Sequence, residues 1–343
     1  MNSMFMIDGL NFCRINHRGS GSHGEGDHPP TVRTFSYHFR RKYGTSVGKI
    51  PLDVGLSCPN RERGGCIFCR AAAFTPTYLQ STDDLAGQLA EGKAKLLQGR
   101  FKKYLAYFQQ ETCTALAAEK LLPLVRQVLS DADCFGLILS TRPDYVADDL
   151  LRPLAEIVVR SGKACLFELG LQSVHDRSLQ LLNRNHGFDD FRDAAFRIKE
   201  AGCFELGAHL IFGIPEETEE DMLLSLSTVC SLGVTHLKLH HLQVIRDTAL
   251  HALYDLGKIT LFSKEEYLCF LLRALPIIPA GVTIHRLWAT AHPELLVAPQ
   301  WHTLAGFLSR ELQERMVELN VWQGQRAVTA HQHPIFVRSG HLT

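Results

Sequence analysis

The sequence predicts an α/β protein built as a partial (β/α)6 barrel of the TIM type, with a small and mostly helical C-terminal extension. Three observations carry this expectation. Strand-like apolar runs alternate with amphipathic stretches from about residue 36 onward, the pattern of repeated βα units and a parallel sheet. No G-x-G-x-x-G follows the first strand, so a dinucleotide-binding doubly wound sheet is disfavoured. Chemically active residues follow many of the strands, where a barrel presents its site.

The order along the chain begins with a leader over 1–35. Its segment NHRGSGSHGEGDHPPT is rich in Gly, Ser, His and Pro and holds no apolar period, so it is expected to be flexible. His17, His23 and His28 lie in it, and a solvated linker explains them better than a metal site. The core barrel is expected over 36–280. Its strand-like runs are KIPLDVGLS (49–57), KYLAYFQ (103–109), CFGLILST (134–141), ACLFELGLQ (164–172), ELGAHLIFGIP (205–215) and THLKLHHLQVI (235–245). Helical stretches lie at 82–100, 114–131, 147–161, 175–183 with 188–201, 217–232 and 263–275. An extension over 281–330 is expected to cover the barrel mouth, and 331–343 to form a tail. No internal repeat is visible.

With 343 residues the chain can bury a large core, and 45% apolar with 21% charged residues is ordinary for a globular protein. Lys plus Arg and Asp plus Glu balance at 36 each, which gives no general pull toward nucleic acid or a membrane surface. No run reaches the roughly 20 apolar residues of a membrane span. The N-terminus lacks a charged n-region, and Asp8, Gly9 and Asn11 break its apolar run, so no secretory signal is expected. Most of the ten cysteines sit singly in apolar segments as small hydrophobes, among them Cys134, Cys165, Cys230 and Cys269. A reducing, cytoplasmic setting follows as the expectation.

After the first strand the chain reads CPNRERGGCIFC. Cys58, Cys66 and Cys69 can converge on one inorganic centre, and Gly64 and Gly65 let the backbone wrap around it. Three readings stay open on spacing. A structural zinc site wants a fourth ligand, and the next cysteine is Cys113. A redox pair would use Cys66 and Cys69 and leave Cys58 without a purpose. A [4Fe-4S] cluster with three protein ligands and one open iron accounts for both the number and the missing fourth.

The sequence resembles radical S-adenosylmethionine enzymes, and within them the YhcC-type family of the Elongator-subunit-three-like, MiaB and NifB-like core. The likeness runs from about Tyr37 to Trp322. It rests on GKIPLDVGLSCPNRERGGCIFC, YLAYFQQETCT, LSTRPDYV, ELGLQSVHDRSLQLLNRNH, HLIFGIPEET, LKLHHLQVI and LLVAPQW in this order. It implies that Cys58, Cys66 and Cys69 each bind one iron of a [4Fe-4S] cluster, with the fourth iron chelated by S-adenosylmethionine. Reduction by an electron donor such as a flavodoxin or ferredoxin would then release a 5′-deoxyadenosyl radical. The interval between Cys58 and Cys66 is shorter than the family usually shows.

The remaining site expectations mix resemblance with side-chain chemistry. Gln109, Gln110, Glu111 and Thr112 end the second strand as acceptors for the methionyl ammonium, although a polar loop would look the same. Glu168 and Gln172 share one face of an apolar strand. A buried carboxylate needs partners, and Glu168 is assigned to the ribose, a structural salt bridge being the alternative. Arg184 is assigned to the methionyl carboxylate, with His186 beside it as a turn cap. Ile211 is expected to flank adenine and Gly213 to allow close approach, while equally marking a turn. His240 and His241 point to opposite faces, and His240 is taken as the inward one, a contact for substrate or adenine; a satisfied core histidine is the plain alternative. Arg142 and Asp144 line the same rim, and Trp288, His292 and Trp301 read as aromatic or loop packing.

The function expected is reductive cleavage of S-adenosylmethionine acting on an unidentified substrate, RNA or a small metabolite, with RNA unsupported by the net charge. One alternative is a metal-stabilised binding protein of the same fold without radical catalysis. Another, a (β/α) enzyme using Glu168 and a nearby His as acid and base, leaves the cysteine loop without a purpose.

Overall fold

The computed structural model describes residues 31–76, 78–79, 84–97, 99 and 101–327. The histidine-bearing part of the leader and the tail 331–343 lie outside the described residues. Within them the strands are β1 (Val47–Leu52), β2 (Lys103–Phe108), β3 (Cys134–Thr141), β4 (Ala164–Gln172), β5 (Glu205–Phe212), β6 (His236–His241), β7 (Val244–Ile245), β8 (Thr283–Arg286) and β9 (Leu296–Ala298). Seven of them form one sheet in the order β1-β2-β3-β4-β5-β6-β8, every pair parallel. The sheet curls into a half-barrel, as the sequence predicts. β7 and β9 make a separate antiparallel pair.

Strand ends follow local chemistry. β1 stops at Leu52 because the Asp53 side chain accepts the Gly55 N–H at 2.8 Å and turns the chain. β5 stops at Phe212 because Gly213 takes φ +83 and Pro215 follows. The crossover helices Ala118–Leu129, Asp148–Ser161, Phe188–Glu200 and Glu219–Ser231 lie close to their sequence-predicted spans. Outward residues such as Phe108, Leu139, Phe167 and Leu210 pack with Leu121, Leu154 and Leu226 of these helices in the main core.

Two stretches behave differently from expectation. Thr283–Arg286, expected in the extension, is the seventh strand of the sheet; four residues are too short to stand out as a period, although Val282, Thr283 and Ile284 are β-branched. Residues 31–35, expected as part of the leader, are tied down. Gln323 N–H donates to Thr31 O at 2.9 Å, Ile284 N–H donates to Arg33 O at 2.8 Å, and Phe35 opens a helix to Tyr43. Phe35 and Phe39 of that helix pack on Val47, Leu105, Ile138 and Leu166, the inward residues near the strand starts. The helix thus plugs the N-terminal end of the half-barrel and leaves chemistry to the other end.

Gly136 sits where β3 crosses close to β4: a Cβ there would lie 2.2 Å from the Ala164 carbonyl oxygen. Backbone cannot yield as a side-chain tip can, so Gly136→Ala should cost about 2–3 kcal/mol. Gly281→Ala, with nothing within 4 Å of its Cβ, should be near neutral. Thermal unfolding of both checks this, and equal midpoints would count against the close β3–β4 approach.

Candidate active site

Cys58 follows β1 and precedes a short 3-10 turn, Pro59–Arg63, after which Gly64 and Gly65 take φ +89 and +72 and bring the chain back to Cys66. Each of two sulfurs accepts side-chain hydrogen bonds. Thr112 Oγ1 donates to Cys58 Sγ at 3.2 Å, while Asn60 Nδ2 and Arg184 Nη1 both donate to Cys66 Sγ at 3.2 Å. Donors aimed at sulfur favour its anionic, metal-binding form and tune a cluster's potential. Among the described residues the group of three ligand atoms within 4.8 Å of one another is His38, Glu205 and His236.

The loop after β4 holds the cysteine loop in place. Asn183 and Asn185 both take φ +53, which Asn tolerates best among residues with a Cβ. Asn183 Nδ2 donates to Arg63 O at 3.0 Å and Gly65 O at 2.7 Å, Asn60 Nδ2 to Asn183 O at 2.8 Å, and Asn185 Nδ2 to Asn60 Oδ1 at 2.9 Å. Arg184 adds its bond to Cys66, one from Nη2 to Gly170 O, and one from Nε to His186 Nε2 at 3.1 Å. Burial and the Arg184 charge push His186 down to about 3, so it is neutral. Its Nδ1–H donates to Gly187 O and its Nε2 accepts from Arg184. Arg184 thus braces the cysteine loop with three of its five N–H groups, and His186 orients it.

At the end of β2 the four expected acceptors divide. Glu111, at φ +50, accepts from Arg61 Nε at 3.1 Å and Nη2 at 2.9 Å and from the Cys58 backbone N–H. It is a strut under the cysteine loop. Gln109 Nε2 donates to Phe74 O at 3.1 Å. Gln110 Oε1 accepts from Thr75 Oγ1 at 3.1 Å, but its Nε2 is buried with no partner. On the neighbouring strand end, Arg142 forks onto Asp144 with two bonds of 2.9 Å, and its Nη1 is buried with no partner. Arg142 follows β3, the neighbour of β2, whose end carries the Thr112 that donates to Cys58.

Deeper in the half-barrel lies Glu168, 2% exposed. Lys238 Nζ reaches its Oε2 at 2.6 Å, His209 Nε2 the same oxygen at 3.3 Å, His285 Nδ1 its Oε1 at 2.9 Å, and Lys49 Nζ stands 3.8 Å away. Burial alone would raise this carboxyl, but Lys238, Lys49, His209 and His285 hold it well below the usual range. Burial draws Lys238 down to about 8 against the pull of Glu168. Of the two sequence readings of Glu168, the geometry supplies the salt bridge, with partners on both oxygens. Gln172, at φ +84, is buried at the bulge that ends β4.

Ile211 pairs in register with His240 and belongs to an apolar wall with Leu182, Ile214, Leu242 and Val244, against which Ile67 and Phe68 of the cysteine loop pack. A Cβ on Gly213 would meet the Phe262 ring at 3.0 Å, so its glycine serves that contact and the positive φ. His240 points inward with Nε2 buried and no partner. His241 points outward and stacks on Trp301 at 4.1 Å between ring centres. His292 N–H donates to Ala73 O at 2.8 Å, linking the late segment to the chain beyond the cysteines.

Residues 54–229 match the Radical SAM superfamily, and 234–317 match the Radical_SAM C-terminal domain. This chain belongs to the radical SAM superfamily. It is 34% identical over 292 residues to the uncharacterized protein YtqA of Bacillus subtilis (strain 168), covering 82% of this chain and 89% of that protein. It is 35% identical over 274 residues to protein YhcC of Escherichia coli (strain K12), covering 79% and 87%. Both place it in the YhcC-type radical SAM family. The fold is similar to that of the archaeal Methanocaldococcus infernus Elp3 lacking its N-terminus, with a TM-score of 0.61 at 17% identity, over 81% of this chain and 64% of that one. Among the described residues no helix is long and apolar enough to cross a membrane.

The radical SAM half-barrel thus carries a buried carboxylate as its interior brace. Glu168→Gln should cost about 3–5 kcal/mol, because it strands Lys238 and Lys49 without their counter-charge. Glu168→Gln combined with Lys238→Met should recover a large part of that loss. Denaturant unfolding measures both, and a Glu168→Gln midpoint equal to the parent's would remove the carboxylate from this role.

Proposed function

We propose that this radical SAM protein holds a [4Fe-4S] cluster on Cys58, Cys66 and Cys69 and binds S-adenosylmethionine against its open iron. Two buried donors without partners carry the reading: Gln110 Nε2 and Arg142 Nη1, at adjacent strand ends beside the cysteine loop. Both can donate and neither N–H finds a protein acceptor, so they suit the methionyl carboxylate. The sulfur-directed donors Thr112, Asn60 and Arg184 fit thiolates bound to iron. A reduced [4Fe-4S] cluster held there would supply one electron to the bound S-adenosylmethionine, whose sulfonium C–S bond would break to methionine and a 5′-deoxyadenosyl radical.

The chain's own residues do the positioning. Glu111 and Arg61, with the three asparagines, fix the loop that presents the thiols. Gln109 and Thr112 stand at the β2 end for the methionyl ammonium, Gln172 lies at the ribose level, and Ile211, Gly213 and His240 form the adenine side. The catalytic core spans 36–280 together with β8, and the segment after Trp288 covers the mouth and excludes water. A flavodoxin or ferredoxin in a reducing cytoplasm serves as the electron donor. The balanced charge lends no support to RNA as the substrate.

Anaerobically purified protein should be brown and hold about four irons and four sulfides per chain. It should release 5′-deoxyadenosine only when dithionite is added. Cys66→Ala should lose the iron. Arg142→Met should keep the iron yet bind S-adenosylmethionine at least tenfold more weakly in equilibrium dialysis. Colourless protein with one zinc would favour the non-catalytic binding protein and end the radical reading.

A further inference from the structure

The half-barrel interior around Glu168 is unbalanced in charge. Lys238 is bonded to Glu168 and Lys49 stands 3.8 Å from it, burial drawing both lysines down, while His209 and His240 are pushed down by burial and stay neutral. Arg286 is the group whose charge is unmatched. At the end of β8 two residues, His285 and Arg286, lie opposite Lys238 because the β6–β8 register shifts there. A shift of this kind re-aims a side chain. His285 already reaches Glu168 from β8, and Arg286 acts on Lys49, Tyr107, His209, Lys238 and His240, which line the interior. Yet Glu168 has both oxygens filled by other donors, and among the described residues no hydrogen bond or ion pair holds the Arg286 guanidinium. The Nε2 of His240 is likewise buried without a partner.

A half-buried guanidinium crowded by like charges is costly unless an anion completes it. Its planar fork suits the paired oxygens of a carboxylate or phosphate. We propose that Arg286 receives an anionic group of the substrate, a carboxylate or a phosphate. The assignment rests on the radical SAM reading of the barrel mouth, and it names the class of substrate that this mouth takes. It separates two sets of donors. Gln110 and Arg142 lie at the β2 and β3 ends beside the thiols, while Arg286 lies at the β6–β8 side, below the strand ends.

The test is calorimetric titration of the anaerobically reconstituted protein with inorganic phosphate and with acetate at fixed ionic strength, sodium chloride serving as the control. One of the two anions should bind saturably, and which binds more tightly tells phosphate from carboxylate as the source. Binding should weaken at least tenfold in Arg286→Gln and a few-fold in Arg286→Lys, which keeps the charge and loses the fork. Should Arg286→Gln fail to fold by circular dichroism, Arg286→Lys decides alone. Flat titrations of the parent protein, or variants that bind as it does, overturn the proposal. Binding abolished by saturating S-adenosylmethionine also overturns it, since Arg286 would then hold that molecule's own carboxylate. Iron content and 5′-deoxyadenosine release are read in the same samples. Anion binding that persists where both are missing leaves this site standing and removes the radical reading instead.

Discussion

The half-barrel depends on a carboxylate placed where carboxylates rarely go. Glu168 sits on the central strand of an open parallel sheet, and its partners come from β1, β5, β6 and β8. Lys238 also takes the Tyr107 hydroxyl of β2. One buried anion therefore ties together strands from both edges of a sheet whose edge strands do not pair with each other. An open sheet of this curvature has no ladder to close it, and the side chains that cross its interior do that task. Burial makes the arrangement costly in the absence of any one partner, which is why it acts as a constraint on shape and not merely as a favourable contact.

The same logic governs the cysteine loop. Its backbone is held by side-chain amides and by Glu111, Arg61 and Arg184, so the thiols are presented by protein contacts. Asn60 is the centre of this support: it donates to Cys66 and to the Asn183 carbonyl while accepting from Asn185. The interval between Cys58 and Cys66 is short, and within it five residues form a 3-10 turn closed by two left-handed glycines. A short loop so pinned has little freedom to lose when it takes up a metal centre.

Much of this was legible in the sequence and some was not, for physical reasons. The alternation of apolar runs and amphipathic stretches gave the sheet and its helices, since burial on both faces writes long β-branched and aliphatic runs. The cysteine triplet stood out because three thiols on one loop have few other uses. β8 was hidden by its length, and the tie of residues 31–35 by its dependence on Gln323, nearly the whole chain away. The asparagines of NRNH were passed over because a turn residue and a brace look alike until the partner is seen. Glu168 was recognised as a carboxylate in need of partners, yet its lysines lay on strands β1 and β6, and nothing in the local sequence joined them.

Arg184 and Glu111 looked like ligand contacts from their chemistry, and both make several bonds to the protein itself. A side chain whose donors or acceptors are filled has no remaining preference for a ligand; what it does instead is fix geometry. Among the described residues the buried side-chain atoms that still want a partner are Gln110 Nε2, Arg142 Nη1, His240 Nε2, His38 Nε2 and Gln243 Oε1, with Arg286 as an unmatched charge. Gln110 and His240 were candidates from the sequence, Arg142 was read only as part of the rim, and Arg286 was not singled out. In a buried polar site of this kind, unmet hydrogen-bonding capacity is a better guide to what is bound than suggestive residue type, because leaving it unmet costs about 1–3 kcal/mol per group. That cost has to be met by something other than the protein, and beside the thiols the unmet groups, Gln110 Nε2 and Arg142 Nη1, are both donors, which calls for an acceptor.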